Sequence, residues 1–139
     1  MAFRFLENVT RADVCFEATG KTLSELFTSA ALATISTMAN PKSVKPKLER
    51  TIVKKTDNVE TLLFEVLEEI IYLKDVDGMV FSDVSCSVDE KKLEVRATLH
   101  GDKMNPKTQE LHQDVKAITM HYYKVEKKKD WKTQIVLDI

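Results

Sequence analysis

Residues 22–38 have the sequence TLSELFTSAALATISTM, and this stretch contains the clearest structural pattern in the chain. Its apolar residues recur every three or four positions, which places them along one face of an α-helix. Thr22 and Glu25 have the spacing of a capping box, in which side chains bond the free amides of the first turn. Asn40-Pro41 is expected to end the helix, because proline cannot continue the backbone hydrogen bonds. The predicted buried stripe consists of Leu23, Leu26, Phe27, Ala30, Ala31, Ile35 and Met38.

A second helical pattern occupies residues 57–71, DNVETLLFEVLEEII. Asp57, followed three residues later by Glu60, predicts the N-terminal cap of this helix. An N-cap role would explain Asp57 without any further function. The predicted buried stripe consists of Val59, Leu62, Leu63, Val66, Leu67, Ile70 and Ile71.

Most of the remaining chain alternates between apolar and polar residues, as β-strands do. Residues 127–130 are interpreted as a hairpin tip between a strand at 115–125 and a last strand that runs to Ile139. No repeat or linker divides the chain, so we predict a single α+β domain over residues 1–139. In it, the two amphipathic helices pack on a mainly antiparallel β-sheet. The other predicted strands cover residues 3–6, 14–18, 48–53, 80–88 and 93–99.

The composition is that of an ordinary soluble protein, with 43% hydrophobic and 31% charged residues in 139. The 21 basic residues nearly balance the 22 acidic ones, which leaves a net charge of −1. We therefore expect neither strong direct RNA binding nor binding to a membrane. No segment approaches the roughly 20 apolar residues that cross a bilayer, and the N-terminus lacks the pattern of a signal peptide. A cytoplasmic location is expected.

The sequence contains no Gly-rich phosphate loop, nucleophile elbow or paired zinc ligands, so no catalytic residue is assigned. Cys15 and Cys86 fall in predicted strands and are expected to be buried thiols. His100, His112 and His121 do not have the spacing of metal ligands. His121 is interpreted as a hydrogen-bonded core residue.

Two polar segments are candidate binding loops. Residues 40–47 place Lys42, Lys45 and Lys47 around two prolines, and residues 101–114 form a long connection. Long loops often contact partners, and a disordered connector is the alternative.

The carboxylates near the end of the sequence suggest a metal site. If the last hairpin stays in register, Asp138 pairs with Thr119, and the chain end lies beside Lys116. The α-carboxylate of Ile139 then lies next to Asp138, and hard cations such as Ca²⁺ or Mg²⁺ prefer such oxygen ligands. A salt bridge between Lys116 and these carboxylates is the alternative. Asp13, at the start of its strand, is a third candidate anion or else a turn residue.

These same positions resemble the archease family. The similarity covers nearly the whole chain in the same order, and its most specific part is the segment VKAITMH at residues 115–121. The other similar segments are DVCFEATG (13–20), TLSELF (22–27), DNVETLL (57–63), HGD (100–102), Trp131 and VLDI (136–139).

The resemblance implies an accessory protein and not an enzyme. Archeases activate the RtcB-type RNA ligase, which joins tRNA halves after intron removal, by promoting ligase guanylylation and multiple turnover. The resemblance also implies a divalent metal, Ca²⁺ with Mg²⁺ or Mn²⁺ as alternatives, bound by Asp13, Asp138 and the terminal oxygens of Ile139. Asp57 would be a nearby acidic residue, and Lys116 matches the lysine of the family's Val-Lys-Ala motif.

The sequence departs from the family pattern at its histidines. Thr10-Arg11-Ala12 precedes Asp13 where the family has His-Thr-Ala, and Glu7-Asn8 stands where the family has an acid followed by histidine. Gln109 occupies a further family histidine position. No imidazole role is therefore implied.

A chaperone-like protein that modulates tRNA methyltransferases or other RNA-modifying enzymes is the alternative that the resemblance supports. Such a role would tolerate loss of the metal carboxylates. A free-standing metal hydrolase is disfavoured, because no nucleophile or base accompanies the aspartates in the pattern.

Overall fold

The computed structural model describes residues 2–6 and 13–139, except for the side chains of residues 120–122. This part of the chain contains two α-helices, α1 (Leu23–Met38) and α2 (Val59–Asp77), and a short 3₁₀ turn at Pro41–Ser43. Its strands are β1 (Ala2–Leu6), β2 (Asp13–Gly20), β3 (Leu48–Lys55), β4 (Met79–Asp89), β5 (Glu94–Lys103), β6 (Ala117–Lys127) and β7 (Trp131–Asp138).

The seven described strands form two sheets in which all neighbours are antiparallel. The first sheet has the order β1-β2-β7-β6 and the second the order β3-β5-β4. α1 lies against β2 and β4, and α2 lies against β6 and β3, so each helix contacts both sheets. The predicted α+β class is confirmed. The strands divide into two sheets instead of the one expected, because α1 leads from the first sheet to the second and the chain returns only after β5.

The predicted helix stripes are buried. All seven α1 residues and six of the seven α2 residues lie in the core, while Val59 is half-buried. Phe16 of β2, Phe27 of α1 and Phe81 of β4 are fully buried and belong to one cluster, so the core is continuous across both sheets. Each such side chain contributes about 2–3 kcal/mol of hydrophobic burial. Neither described helix is both long and apolar enough to span a membrane.

The N-terminal cap of α1 agrees with the prediction, whereas the cap of α2 differs from it. Thr22 caps α1 as predicted, accepting a hydrogen bond from the Glu25 amide at 3.2 Å. The cap of α2 is Asn58, whose Oδ1 accepts from the Thr61 amide at 2.8 Å. The prediction of Asp57 as the cap is therefore wrong. Asparagine and aspartate cap helices about equally well, so two such residues in succession leave the starting position open.

α1 covers the exposed edge of β4 with two hydroxyl groups. The Thr28 hydroxyl accepts a hydrogen bond from the Cys86 amide at 3.0 Å, and the Ser24 hydroxyl accepts one from the Val88 amide at 2.9 Å. These contacts satisfy donors that would otherwise be open to another strand. Burial raises the pKa of the Cys86 thiol to about 12, and burial also raises the pKa of Cys15. Both cysteines are buried, as predicted.

The hairpin of β6 and β7 contains a register shift that the sequence pattern does not predict. Lys127 pairs with Trp131 at the predicted tip, but the register shifts between Thr119 and Lys124, and Asp138 pairs with Ala117. The predicted pair of Asp138 with Thr119 is therefore wrong. An irregularity of this kind places extra residues in one strand opposite fewer in its partner, so every later pair is displaced.

Candidate functional site

Two aspartates from opposite ends of the chain lie directly across from each other in the first sheet. Asp13 is the first residue of β2, Asp138 is the last residue of β7, and the two are register partners. Directly opposed residues of antiparallel strands point to the same face of the sheet, with Cβ atoms about 5 Å apart. Both residues are half-buried. Two like charges so placed repel each other, and a cation that both carboxylates share relieves that repulsion.

The end of the sequence is held close to this pair. The Lys116 amide donates a hydrogen bond to the Asp138 carbonyl oxygen at 2.8 Å, so Lys116 and Asp138 are neighbours as expected. The following residue, Ile139, is half-buried and packs against the hydrophobic core. Asp13 and Asp138 therefore face each other, and Ile139 follows Asp138 directly in the chain. Such a donor set fits a hard divalent cation.

The acidic site contains fewer side chains than a complete metal cage. Among the side chains that the structure describes, no group of three or more His, Cys, Asp or Glu residues is placed to hold a metal ion. Glu17, four residues along β2 from Asp13, is already bound by Lys132 at 3.3 Å and Arg4 at 3.4 Å. Burial raises its pKa, but the hydrogen bonds from these two cations outweigh that effect and leave the pKa below its usual value. The assignment of Asp13, Asp138 and Ile139 as ligands stays a prediction.

The structure does not bring Asp57 to this pair. Asp57 precedes the first turn of α2, which lies beside β6 at Tyr123: the Tyr123 hydroxyl donates to the Glu60 carbonyl oxygen, and its ring contacts Phe64. Ala117, the partner of Asp138, instead lines a shallow pocket with Ile71 and Tyr72, three turns further along α2. At 1.5 Å per residue, the 12 residues from Val59 to Ile71 correspond to about 18 Å along the helix axis.

The two candidate loops pack against each other and against the helices. The Asn40 amide donates to the Glu110 carbonyl oxygen at 2.8 Å, and the Glu110 amide donates to the Ser43 hydroxyl at 2.9 Å. The buried Lys74 of α2 holds the end of the second loop through an ion pair with Asp114 at 2.5 Å, and it also contacts Asp75 at 2.6 Å. Burial lowers the pKa of Lys74, but the hydrogen bonds that Lys74 donates to Asp114 and Asp75 raise it above its usual value. The described loop segments are therefore fixed in place.

His112 joins the second loop to the end of α1, and sequence reasoning assigned it no role. Its Nε2 lies 2.7 Å from a Glu110 carboxylate oxygen and its Nδ1 lies 3.1 Å from the Ser36 carbonyl oxygen. Both ring nitrogens face acceptors, so the imidazolium form suits the site. The hydrogen bond with Glu110, followed by that with Ser36, raises the His112 pKa above its usual value.

We predict that the His112→Gln substitution destabilises the protein at pH 5.5 and has a smaller effect at pH 8.5. A raised folded-state pKa adds stability that is complete below about pH 6.5 and is lost as the pH rises through the folded value. Because the side chain is partly solvent-exposed, we expect the substitution to lower the free energy of unfolding by only about 0.5 kcal/mol at pH 5.5. Urea unfolding of both proteins at both pH values measures the difference. An effect of equal size at the two pH values would contradict the prediction.

His100 forms a second histidine–carboxylate contact, on the exposed face of the second sheet. Its Nδ1 lies 2.7 Å from an Asp83 carboxylate oxygen, and this hydrogen bond raises its pKa above the usual value.

The side chain of His121 and residues 7–12, which include Glu7-Asn8 and Thr10-Arg11-Ala12, lie outside the described residues. Gln109, which stands at a family histidine position, has a structural role. Its side-chain amide accepts a hydrogen bond from the Asn105 backbone amide and donates one to the Lys103 carbonyl oxygen.

Known structures share this fold over almost the whole chain. The solution structure of Methanobacterium thermoautotrophicum protein 1598 superposes with a TM-score of 0.83 at 28% identity, covering 99% of this chain and 98% of that one. The crystal structure of an archease from Thermotoga maritima, a protein described as a possible chaperone, superposes with a TM-score of 0.68. That likeness covers 94% of this chain and 93% of the other at 20% identity, and it shows similarity of fold alone.

Sequence comparison agrees. The protein archease of Pyrococcus furiosus is 36% identical over 132 residues, which cover 92% of this chain and 93% of the relative. The protein archease of Thermococcus kodakarensis is 37% identical over the same shares. The model of the "Archease protein family (MTH1598/TM1083)" matches residues 3–139. The chain therefore belongs to the archease family.

Proposed function

We propose that this chain is an accessory protein that activates an RtcB-type RNA ligase in tRNA splicing, promoting ligase guanylylation and multiple turnover. Membership of the archease family supports this role. The observation behind the mechanism is the register pair of Asp13 and Asp138 beside Ile139. These residues would hold a divalent cation, for which Ca²⁺ is our first choice and Mg²⁺ or Mn²⁺ the alternatives.

The acidic pair would act through charge. Guanylyl transfer develops negative charge on phosphate oxygens, and a bound cation supplies the opposite charge to such oxygens. Asp13 and Asp138 would hold and orient that charge at the edge of the sheet. Lys116, whose backbone is bonded to Asp138, would add a further positive charge from the adjoining strand end.

The chain itself is proposed to perform no catalysis. Cys15 is the thiol nearest to Asp13 along β2, but it is buried, and burial raises its pKa, so the thiolate nucleophile is disfavoured. Cys86 lies in the second sheet, with a pKa of about 12. Activation would therefore depend on the ligase's own chemistry.

The test is RNA ligation under multiple-turnover conditions. The RtcB-type ligase is incubated with GTP, divalent metal and excess RNA ends, and this protein is added at one tenth of the ligase concentration. We expect the number of joining events per ligase molecule to rise from about one to many. Unchanged turnover would overturn the activator proposal.

The second candidate is a chaperone-like protein that stabilises tRNA methyltransferases or other RNA-modifying enzymes. The description of the Thermotoga maritima relative as a possible chaperone favours it. The two candidates differ in their dependence on the acidic pair. A chaperone role would survive the Asp138→Asn substitution, whereas ligase activation would not.

A further inference from the structure

A cleft forms where the two candidate loops meet, and it shares no residue with the acidic pair. Its volume is about 280 Å³, and three lysines line it: Lys45 after the 3₁₀ turn, Lys47 before β3 and Lys103 at the end of β5. Asn105 and Thr108 complete its polar wall. This volume lies just below the usual range for ligand sites, so it suits a small group and not a large cofactor.

The charge around this cleft differs from that of the whole chain. Residues 40–47 and 101–109 contain five lysines and a single acidic residue, Asp102, whereas the chain has a net charge of −1. Asp102 lies 3.9 Å from the Lys47 ammonium, a distance at which an exposed pair is weak. Lys103 donates to the Asp77 carbonyl oxygen, which is uncharged. Lys45 forms no hydrogen bond or ion pair with any residue that the structure describes. The cleft thus keeps an excess of positive charge.

The wall that contains the neutral donors is held in a fixed shape. The Gln109 side chain accepts from the Asn105 amide at 2.8 Å and donates to the Lys103 carbonyl oxygen at 2.9 Å. Asn105 Oδ1 accepts from the Lys107 amide at 3.0 Å, which turns the side-chain nitrogen of Asn105 away from this bond. Within the described chain, that nitrogen and the Thr108 hydroxyl form no hydrogen bond. Rigid neutral donors beside lysines favour an anion that accepts several hydrogen bonds.

We propose that this cleft binds a phosphate group of a nucleotide or of an RNA strand. Lys45 and Lys47 would supply the charge, and Asn105 and Thr108 would orient the phosphate oxygens. A chain of balanced charge would then contact phosphate at one place only, instead of binding RNA along a broad basic surface. This proposal does not depend on the proposed ligase activation, because it concerns other residues and is tested without a ligase.

The experiment compares three phosphate probes by NMR. Inorganic phosphate, adenosine 5′-monophosphate and a 5′-phosphorylated hexaribonucleotide are titrated separately into the ¹⁵N-labelled full-length chain. We expect saturable shifts in the backbone amides of residues 103–105, 107 and 108. Equal affinity for all three probes would identify a single-phosphate site, and saturation by the oligonucleotide alone would identify an RNA strand as the ligand. The absence of saturable shifts with every probe would overturn the proposal.

A matched pair of variants separates a specific site from general attraction. The K45Q/K47Q double substitution removes two exposed charges from the cleft and is expected to weaken binding about tenfold. The K91Q/K92Q double substitution removes the same charge from the exposed turn between β4 and β5 and should leave binding unchanged. Equal losses in the two variants would show that the attraction is not specific to the cleft. Thermal unfolding of both variants checks that the fold is intact.

Discussion

The Asp138→Asn substitution is expected to lower the affinity for Ca²⁺ at least about 100-fold and to abolish ligase activation, while the protein stays folded. The asparagine side chain would preserve the size of the original one but remove one of the two anionic groups that face each other across β2 and β7. In the absence of metal, the loss of like-charge repulsion with Asp13 should leave the melting temperature unchanged or slightly raised. The effect is thus a loss of binding without a loss of stability.

Calorimetry with and without Ca²⁺ measures this directly. At a Ca²⁺ concentration 100 times its dissociation constant, the wild-type protein should gain about 2.7 kcal/mol of stability. With affinity reduced 100-fold, the variant should gain only about 0.4 kcal/mol under the same conditions. Ligation assays on the same preparations then relate metal binding to activation.

Asp57→Asn is the matched control. It makes the same change of charge and size at an exposed position about 20 Å along α2 from the site, and we expect it to keep both Ca²⁺ binding and activation. The competing hypothesis, a terminal salt bridge between Lys116 and the carboxylates, makes the opposite forecast for Asp138→Asn. It requires a lower melting temperature without metal and a wild-type protein that does not respond to Ca²⁺.

The helices could be predicted because their apolar spacing is a local property of the sequence. Thr22 to Met38 has one buried face whatever it packs against, and the same holds for α2. The starting residue of α2 could not be fixed, since Asp57 and Asn58 are both good caps. Only the packed structure shows that the Asn58 side chain bonds Thr61.

The pairing of strands is a long-range property, and the pattern of alternation does not contain it. The tip of the last hairpin was predictable from its lysines, but the register shift between Thr119 and Lys124 leaves no mark in the alternation. The pairing of Asp13 with Asp138 depends on β2 lying beside β7, which residue spacing alone does not specify. The family resemblance was the signal that linked these aspartates.

The contact between the two loops that form the phosphate cleft is also a long-range property, which the local sequence pattern does not contain. Both loops could be identified as polar, and the first as containing several lysines, but nothing within the loops themselves indicated that they meet. Their contact depends on a bridge between Ala39 and Leu111 and on the ion pair of the buried Lys74 with Asp114. A lysine on the buried side of an amphipathic helix requires an acidic partner, and Lys74 is the one local feature that points to this long-range contact.

The Gly101→Ala substitution is expected to lower the free energy of unfolding strongly, because the added methyl group would clash with the backbone of β4. Gly101 lies in the central strand β5, paired with Leu48 on one side and Phe81 on the other, where the register of β4 shifts. A Cβ atom there would lie 2.1 Å from the Val80 carbonyl oxygen and 2.9 Å from the Phe81 Cα. Both obstacles are backbone atoms of buried residues, so no side chain can turn aside.

We expect the free energy of unfolding to fall by about 3 kcal/mol or more, because relief of the clash requires β5 to move away from β4 and therefore toward β3. For a chain of this length, that cost corresponds to a melting temperature lower by about 10 °C. The displaced segment would include Asp102 and Lys103, which line the phosphate cleft, so phosphate binding should weaken as well.

Gly78→Ala is the control that separates steric conflict from backbone strain. Gly78 ends α2 with φ of +63°, a left-handed conformation, but a Cβ atom there would have no heavy atom within 4 Å. The Gly78→Ala substitution is therefore expected to lower the free energy of unfolding by about 1 kcal/mol, because alanine is disfavoured in the left-handed conformation. If Gly101→Ala were to melt within a few degrees of Gly78→Ala, β4 and β5 would have to be able to separate at the register shift. In that case the close approach would not be needed for the fold. A much lower melting temperature for Gly101→Ala, or a chain that fails to fold, would show that the shift in β4 requires a residue without a side chain opposite it.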